Sequence, residues 1–277
     1  MIKLGLVGYP LGHSLSPRIH DAALRACGLE GDYCPYPIRL DDKQELKAVL
    51  ACVRSGELLG LNVTIPHKQN IIEYLDELTP TAKAIGAVNT IYMRENKLIG
   101  DNTDAPGFLS DLYSFIGGKK SSTVDRPKSL VLGAGGSAHA VVYALVNDGW
   151  DVTIVARRIE RAENLAMQFE GTTAAALNVQ TFQRSNVPLI VNTTPVGMTP
   201  DVDQSPLPQG ALLPQDTFIY DLVYNPRETK LVSEARAQGL QATTGLGMLI
   251  EQAALAFEIW TGYSPSREVM QAAVDNL

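Results

Sequence analysis

Lys68 and Asp104 are the two residues of this chain best suited to proton chemistry. Lys68 stands just past a strand-like run, and Asp104 closes the polar loop Asp101-Asn102-Thr103-Asp104. A lysine beside an aspartate supplies a cation that can donate a proton to a reacting oxygen or orient it. The residue types leave open which of the two transfers the proton. Short polar side chains stand at other expected strand ends and loops: Ser14, Ser16, Asn62, Thr64 and Asn89. Hydroxyls and amides of this kind suit a small polyhydroxylated or carboxylate substrate. Each also has a plainer role open to it. Ser16 could cap a helix that begins at Pro17, and Asp104 could cap one before Ala105-Pro106. Asn89 could be a turn residue, and Asn62 with Thr64 a solvated strand face. No Ser–His–Asp order and no H-E-x-x-H pattern supports hydrolysis. His13, His20, His67 and His139 lack ligand spacing, so no metal is expected.

A second constellation lies in the other half. Gly133-Ala134-Gly135-Gly136-Ser137-Ala138 fits the G-x-G-x-x-A spacing, directly after an apolar strand and before a helix. Gly133 permits the tight turn, Gly135 lets backbone approach a pyrophosphate, and Ala138 lets helix and strand pack closely. The helix N-terminus then offers free N–H groups to phosphate. The next strand ends in Ala156-Arg157-Arg158 with no carboxylate to hold a ribose hydroxyl. Two guanidiniums there suit a 2′-phosphate, so NADP is expected as cofactor rather than NAD. Asn192-Thr193-Thr194 closes another strand of this half and would border the same crevice in a doubly wound sheet. A reductase needs a proton donor beside a carbonyl and a hydride donor over its face, and the two halves supply one each.

The elements that must position these groups follow from periodicity. Over residues 59–65, Leu59, Leu61, Val63 and Ile65 alternate with Gly60, Asn62 and Thr64. That is a strand with one apolar and one polar face, stopped by Pro66. Before it come a strand at 2–7, a helix at 18–26 closed by Gly28, a strand at 33–38, and a helix at 43–54 with Leu46, Val49, Leu50 and Val53 inward. After it come helices at 69–78 and 80–85, strands at 88–93 and 98–100 joined at Glu95-Asn96-Lys97, and a helix at 108–116. Residues 117–128 read as a linker. Beyond it strands at 129–132, 152–155, 189–192 and 218–221 alternate with helices at 139–148, 162–169 and 230–238, the rhythm of a parallel sheet. Residues 195–215 form a long loop. Thr244-Gly245-Leu246-Gly247 is a flexible joint into an apolar helix at 248–260, and Ser264-Pro265 starts the last helix. The fold class is α/β with two α/β domains. Residues 1–104 and 247–277 form a substrate-binding catalytic domain, and residues 105–246 form a Rossmann NADP-binding domain.

Composition narrows the function class. The chain has 277 residues, 45% hydrophobic and only 19% charged, which suits a two-domain enzyme better than a disordered binder. The net charge is −7, and Lys119-Lys120 and Arg157-Arg158 are the only basic runs, so no nucleic-acid partner is expected. No apolar run approaches about 18 residues, so no membrane span is expected. Three cysteines, Cys27, Cys34 and Cys52, form no C-x-x-C pair and read as free thiols in a reducing compartment. With no signal-peptide profile at the start, a cytoplasmic location follows. A homodimer is compatible with this reading.

The chain also resembles shikimate dehydrogenases. Their motif series is matched by His13-Ser14-Leu15-Ser16-Pro17, Asn62-Val63-Thr64-Ile65-Pro66-His67-Lys68, Gly86-Ala87-Val88-Asn89-Thr90 and Asp101-Asn102-Thr103-Asp104. Gly133 to Ala138, Asn192 to Gly197 and Met248-Leu249-Ile250-Glu251-Gln252-Ala253 extend the match in family order. The resemblance implies reversible NADP-linked conversion of 3-dehydroshikimate to shikimate, in the route to chorismate and the aromatic amino acids. It implies that Ser14 and Ser16 bind the substrate carboxylate. Asn62, Asn89 and Gln252 would hold ring hydroxyls beside Thr64, and Lys68 with Asp104 would form the catalytic pair. Lys68 is the favoured proton donor and Asp104 the orienting partner. Leu222, Tyr224, Gly245 and Met248 match positions near the cofactor, with core packing the plainer role of Met248. The implied fold is a catalytic domain completed by returning C-terminal helices, facing a Rossmann domain across a cleft. The joint at Gly245 to Gly247 and the linker after Ile116 would be its hinges.

Two departures from the family pattern stand out. Ala156-Arg157-Arg158 replaces an Asn-Arg-Thr or Asn-Arg-Ser run, and Ser137 with His139 stands where Ala and Arg are frequent. The nearest rival is a quinate/shikimate dehydrogenase with broader substrate or NAD use, which the serine pair disfavours. A non-catalytic sensor of the same acid is the rival of another class. It should lose the Lys68–Asp104 pair and carry a further module.

Overall fold

The structure, a computed structural model, describes residues 1–118, 126–183 and 187–275. Most of the 117–128 linker therefore lies outside the described residues. The elements of the first half are β1 (Ile2–Gly8), α1 (Ser16–Ala26), β2 (Gly31–Pro37), α2 (Lys43–Ser55), β3 (Gly60–Val63), β4 (Glu77–Leu78), α3 (Pro80–Ile85), β5 (Thr90–Arg94), β6 (Lys97–Asp101) and α4 (Asp104–Phe115). Those of the second are β7 (Lys128–Leu132), α5 (Gly136–Asn147), β8 (Asp151–Ala156), α6 (Ile159–Ala166), β9 (Thr172–Ala176), α7 (Val179–Gln183), β10 (Leu189–Asn192), β11 (Phe218–Asp221), α8 (Lys230–Ala237) and β12 (Ala242–Thr244). The chain ends with α9 (Leu246–Thr261) and α10 (Arg267–Ala272). Two units result: Met1–Gly107 with Leu249–Leu277, and Phe108–Met248. The divisions between them fall inside α4 and α9 rather than in loops.

The first unit carries a six-stranded sheet in the order β2-β1-β3-β5-β6-β4. β1 pairs in parallel with β2 and β3, while β5 runs antiparallel to β3 and β6. β3 does not follow the one-face pattern expected of it. Leu61 and Val63 enter the core with Val7, Leu46, Leu50 and Val53. Asn62 and Gly60 are buried too, whereas Leu59 and Ile65 at the ends are exposed. The reason is that α9 returns to cover the second face. A side chain at Gly60 would overlap the Trp260 indole, whose Nε1 donates to the Ile91 carbonyl at 3.1 Å. A sheet covered on both sides loses its polar face.

The 69–78 helix is also corrected. A 3₁₀ turn spans Asn70–Tyr74, and β4 follows it. The Asp76 carboxylate accepts the Leu98 N–H at 2.7 Å and pairs with the Arg54 guanidinium at 2.5 Å. Those bonds draw residues 76–78 out of helix and onto β6. Helix ends follow local chemistry elsewhere. Thr79 accepts from the Ala82 N–H to start α3, and Asp42 accepts from the Glu45 N–H to start α2.

The second unit carries an all-parallel sheet in the order β12-β11-β10-β7-β8-β9. Its core joins Leu130, Leu132, Val155, Ile190 and Ile219 to Leu231 and Val232 of α8. β9 and β12, absent from the sequence reading, are edge strands whose Thr-Ala composition gives little apolar signal. The expected joint at Gly245 to Gly247 is not loose chain. Leu246 opens α9, a Cβ on Gly245 would strike the Leu222 carbonyl, and one on Gly247 would strike the Asp111 carboxylate. Among the described residues no helix is long and apolar enough to cross a membrane.

One buried group sets an acid limit on stability. His20 is wholly buried, stacked on Tyr33 at 4.2 Å and near Phe257 and Trp260. Burial lowers its pKa to about 3, against a smaller opposing effect of the Asn62 side chain. Between the unfolded value of 6.5 and about 3, the unfolded chain holds a proton that the native chain lacks. Stability therefore falls with pH in that window, by roughly 1.4 kcal/mol per unit from this group. His20→Leu should shrink the drop in Tm between pH 7 and pH 4.5, followed by circular dichroism. The opposite contribution of Asp221, raised to about 6, is common to both proteins and cancels in the comparison. An identical drop in both would show that His20 does not govern the acid limb.

Candidate active site

The first cluster assembles on the ends of β3, β5 and β6 and the start of α4. After β3, the His67 N–H closes a turn onto the Thr64 carbonyl at 2.9 Å. The His67 ring is buried and its Nε2 meets the Ile38 carbonyl at 2.7 Å. The next residue, Lys68, has its own carbonyl taken by the Val88 N–H at 2.7 Å. The backbone of Lys68 is thus fixed on both sides, and its side chain is 13% exposed. Its Nζ lies 2.6 Å from Asp104 Oδ2.

Asp104 is set by a neighbour. Asn102 Oδ1 accepts the N–H groups of Asp104 and Ala105 at 3.1 and 3.3 Å, and Asn102 Nδ2 donates to the Ala87 carbonyl. Asn102 performs the capping that Asp104 was a candidate for. The Asp104 carboxylate is left to Lys68 and to Asn89 Nδ2, which donates to Oδ1 at 2.9 Å.

Asn89 is the hub of the cluster. Its Nδ2 also donates to Thr103 Oγ1 at 2.9 Å and reaches Gln252 Oε1 at 3.3 Å. Its Oδ1 accepts from the Thr103 N–H at 2.8 Å and the Thr90 hydroxyl at 2.9 Å. It is no turn residue but a buried, multiply bonded amide. Gln252 comes from α9, 163 residues away in sequence. Gly107 makes that approach feasible, because a Cβ there would lie 2.8 Å from the Gln252 backbone nitrogen. Asn62 Nδ2 donates to the Asn89 carbonyl at 3.1 Å, and its Oδ1 accepts from the Tyr33 hydroxyl at 2.8 Å.

Ser14 and Ser16 lie at the entry to α1. Ser14 Oγ accepts the Ser16 N–H at 3.3 Å. Ser16 is the first residue of α1, is buried, and makes no capping bond. Thr64 is half-buried, its N–H held by the Val7 carbonyl at 2.9 Å. Tyr33, Thr90, Asn102 and Thr103 belong to this network and were missed as site residues. Asn102 and Thr103 sit inside the loop already singled out, whereas nothing in sequence marked Tyr33.

The second cluster lies at the carboxyl ends of β7, β8, β10 and β11. Gly133 has φ +113, and a Cβ on it would lie 2.6 Å from Thr193 Oγ1. Its N–H donates to the Val155 carbonyl at 2.8 Å, which binds the turn to β8. Gly135 caps α5 with open space where its side chain would be, so the backbone there is accessible. Ala134, Gly136 and Ser137 are half-buried around the helix start, and Ala138 is fully buried against the sheet. A helix N-terminus with accessible backbone fits a pyrophosphate. Ala156 ends β8, and Arg157 and Arg158 follow it, both exposed. Those residue types fit a dinucleotide with an additional phosphate.

Asn192 is wholly buried and Asp221, also wholly buried, explains its position. The Asp221 carboxylate accepts from Asn192 Nδ2 at 2.8 Å, the Val223 N–H at 3.0 Å and the Thr229 hydroxyl at 2.7 Å. Burial pushes its carboxyl up to about 6 against the pull of those bonds. Asn192 Oδ1 in turn accepts the N–H and hydroxyl of Thr194 at 3.0 and 2.7 Å, and Thr193 Oγ1 donates to the Leu132 carbonyl at 2.7 Å. Asp221 was read only as the end of a strand. Leu222 and Tyr224 are half-buried, Gly245 packs on the Leu222 backbone, and Met248 is buried.

Comparison with known proteins finds relatives along both halves of the chain. Residues 6–91 match the family described as shikimate dehydrogenase substrate binding domain. Residues 116–195 match shikimate / quinate 5-dehydrogenase, and residues 245–274 the shikimate 5'-dehydrogenase C-terminal domain. The NADP(+) shikimate dehydrogenase of Shouchella clausii is 39% identical over 98% of this chain and 97% of its own. Shikimate 5-dehydrogenase of Thermus thermophilus, solved in complex with NADP(H) and shikimate, superposes with a TM-score of 0.86 at 40% identity, covering 99% and 98% of the two chains. Quinate dehydrogenase of Corynebacterium glutamicum, solved with NAD, gives 0.87 at 31% identity, covering 100% and 99%. With the motif series in order and relatives aligned end to end, the chain belongs to the shikimate dehydrogenase family.

Proposed function

We propose that this protein reduces 3-dehydroshikimate to shikimate with NADPH, and runs the reverse oxidation, with Lys68 and Asp104 at the reacting oxygen. The observation that carries the reading is the 2.6 Å pair of Lys68 and Asp104, joined to Asn89 and Gln252 in one buried network. The cofactor, when bound, supplies the hydride that adds to the carbonyl carbon. The chain supplies the rest. Lys68 Nζ donates a proton to the carbonyl oxygen as negative charge develops there, and the lone pair it keeps is reprotonated from solvent. Asp104 accepts from Lys68 and from the hydroxyl so formed, which holds both in line. Asn89 fixes the second Asp104 oxygen. Ser14 and Ser16 donate hydroxyls to the substrate carboxylate, and Asn62, Asn89 and Gln252 engage ring hydroxyls beside Thr64. In the reverse direction Lys68 takes the proton back.

In the second unit, the turn from Gly133 to Ala138 would hold the pyrophosphate, with Ala156, Arg157 and Arg158 at the adenosine 2′-phosphate. Asn192, Thr193 and Thr194 would border the dinucleotide, with Leu222, Tyr224, Gly245 and Met248 toward its nicotinamide. The same reading assigns a cytoplasmic location, where free dinucleotide and the three thiols stay reduced. It allows a homodimer, which sedimentation equilibrium would register as twice the chain mass.

Steady-state rates with shikimate and quinate, each with NADP and NAD, test the function. The highest kcat/KM is expected for shikimate with NADP. A higher value for quinate with NAD would overturn the assignment, and no nicotinamide reduction at any pH would favour a sensor. Asp221 gives a second expectation. Asp221→Asn replaces one of the two accepting oxygens by an amide donor, set either against the Asn192 amide and Val223 N–H or against the Thr229 hydroxyl, and should disturb the 192–194 segment. NADP KM is expected to rise roughly fivefold to tenfold, with shikimate KM unchanged. NADPH fluorescence titration checks it, and unchanged affinity would confine Asp221 to folding.

A further inference from the structure

We infer that Tyr33 is a positioning residue of the substrate site, its buried hydroxyl setting which face of the Asn62 amide is offered to the substrate. The inference rests on the reading of Asn62 and Ser16 as substrate contacts. Tyr33 comes from β2, an edge strand of the first sheet, and is 3% exposed. Its O–H donates to Asn62 Oδ1 at 2.8 Å.

The hydrogen-bond count fixes the amide. Asn62 Nδ2 spends its two hydrogens on the Asn89 carbonyl at 3.1 Å and on Thr90 Oγ1 at 3.4 Å. Thr90 can accept there because its own proton goes to Asn89 Oδ1 at 2.9 Å. Turning the amide over would set the Asn62 oxygen against the Asn89 carbonyl, two acceptors with no proton between them. It would also set the amide nitrogen against a Tyr33 hydroxyl that must then accept. With Tyr33 donating, Asn62 keeps one oxygen lone pair and no free N–H. It can therefore recognise a hydroxyl that donates, such as a ring hydroxyl, and cannot serve a carbonyl or carboxylate.

Three further observations support this role. The Ser16 side chain lies near enough to the Tyr33 hydroxyl to lower its pKa against the larger effect of burial, so the phenol adjoins both substrate-contact residues. Burial raises the Tyr33 phenol well above its ordinary value, so its proton stays in place. The ring is clamped by His20, stacked at 4.2 Å and 3°. That imidazole stays neutral, and neither of its nitrogens meets hydrogen-bond geometry, the Asn62 side chain acting on it only weakly beside burial. His20 therefore acts on Tyr33 as a flat wall rather than as a hydrogen-bonding rival.

The test is a double-mutant comparison of Tyr33→Phe, Asn62→Ala and the pair, on the full chain. Shikimate KM, NADP KM, kcat and Tm are read for each. Tyr33→Phe keeps the ring and its stack and removes only the hydroxyl. It is expected to raise shikimate KM roughly tenfold, with kcat within about threefold and NADP KM unchanged. In the Asn62→Ala background the same change should add less than about twofold, because the oxygen it served is gone. Shikimate KM unchanged in Tyr33→Phe while Asn62→Ala raises it would overturn the inference and leave the site reading standing. Equal, additive effects in both backgrounds would overturn it too. Unchanged KM in both Asn62→Ala and Ser16→Ala would sink the site reading and the inference together. Should Tyr33→Phe not fold, Tyr33→Leu carries the same comparison with an apolar side chain that has no donor.

Discussion

Lys68→Ala is expected to lower kcat by roughly two to four orders of magnitude in both directions, with little change in shikimate KM. The Nζ lies 2.6 Å from Asp104 and is the one proton-bearing cation in the network of Asn89, Asp104 and Gln252. Its removal takes away the proposed proton donor and also the counter-charge of a carboxylate that is only 7% exposed. A buried carboxylate without its partner is destabilising, so Tm should fall as well. The two consequences separate on adding methylammonium. A small amine that enters the space left by the side chain should restore part of kcat. A variant with near-normal kcat would take Lys68 out of the chemistry. Asp104→Asn should differ in kind, raising shikimate KM along with lowering kcat, because the proposed role of the carboxylate is both to orient Lys68 and to bind the hydroxyl.

Arg157→Ala should raise NADP KM by roughly tenfold to a hundredfold while NAD KM stays within about twofold. The residue directly follows β8 and is exposed, so its loss disturbs no packing. A charge-assisted bond to a phosphate is worth about 1.5–3 kcal/mol, and NAD has no phosphate there to lose. The effect of the arginine should weaken as salt rises, since an exposed pair is screened. Equal losses for both dinucleotides would mean that another group holds the 2′-phosphate. Arg158, at the N-cap position of α6, replaces a residue type that can donate from a hydroxyl. It offers a second cation in place of a neutral bond.

The second unit was readable in chain order because each of its strands is a short apolar run. Val131, Val152, Ile154, Ile190 and Val191 are buried on a sheet with helices to cover it, and glycines mark the turns. Its edge strands β9 and β12 were missed because Thr and Ala carry no such signal. The first unit resisted at two points, both decided by distant residues. Residues 69–78 have helical spacing, yet Asp76 is captured by Arg54 and by the backbone of Leu98. The alternation at β3 suggested one wet face, yet the Trp260 ring lies over Gly60.

By itself the sequence determined which groups could do chemistry. A lysine past a strand, an aspartate in a polar loop, a glycine turn before a helix and two arginines after a strand are local features. Local features are set by neighbours along the chain. What only the tertiary structure decided is how these groups are held. Gln252 reaches Asn89 across 163 residues, Tyr33 bonds Asn62 across 29, and Asp221 holds Asn192 across another 29. Each is a hydrogen bond between strands or helices remote in sequence, and the partner of a buried amide cannot be read from its neighbours. It follows from which strands lie side by side, β1 between β2 and β3, and β10 beside β11. That order is fixed by how the apolar faces close over one another.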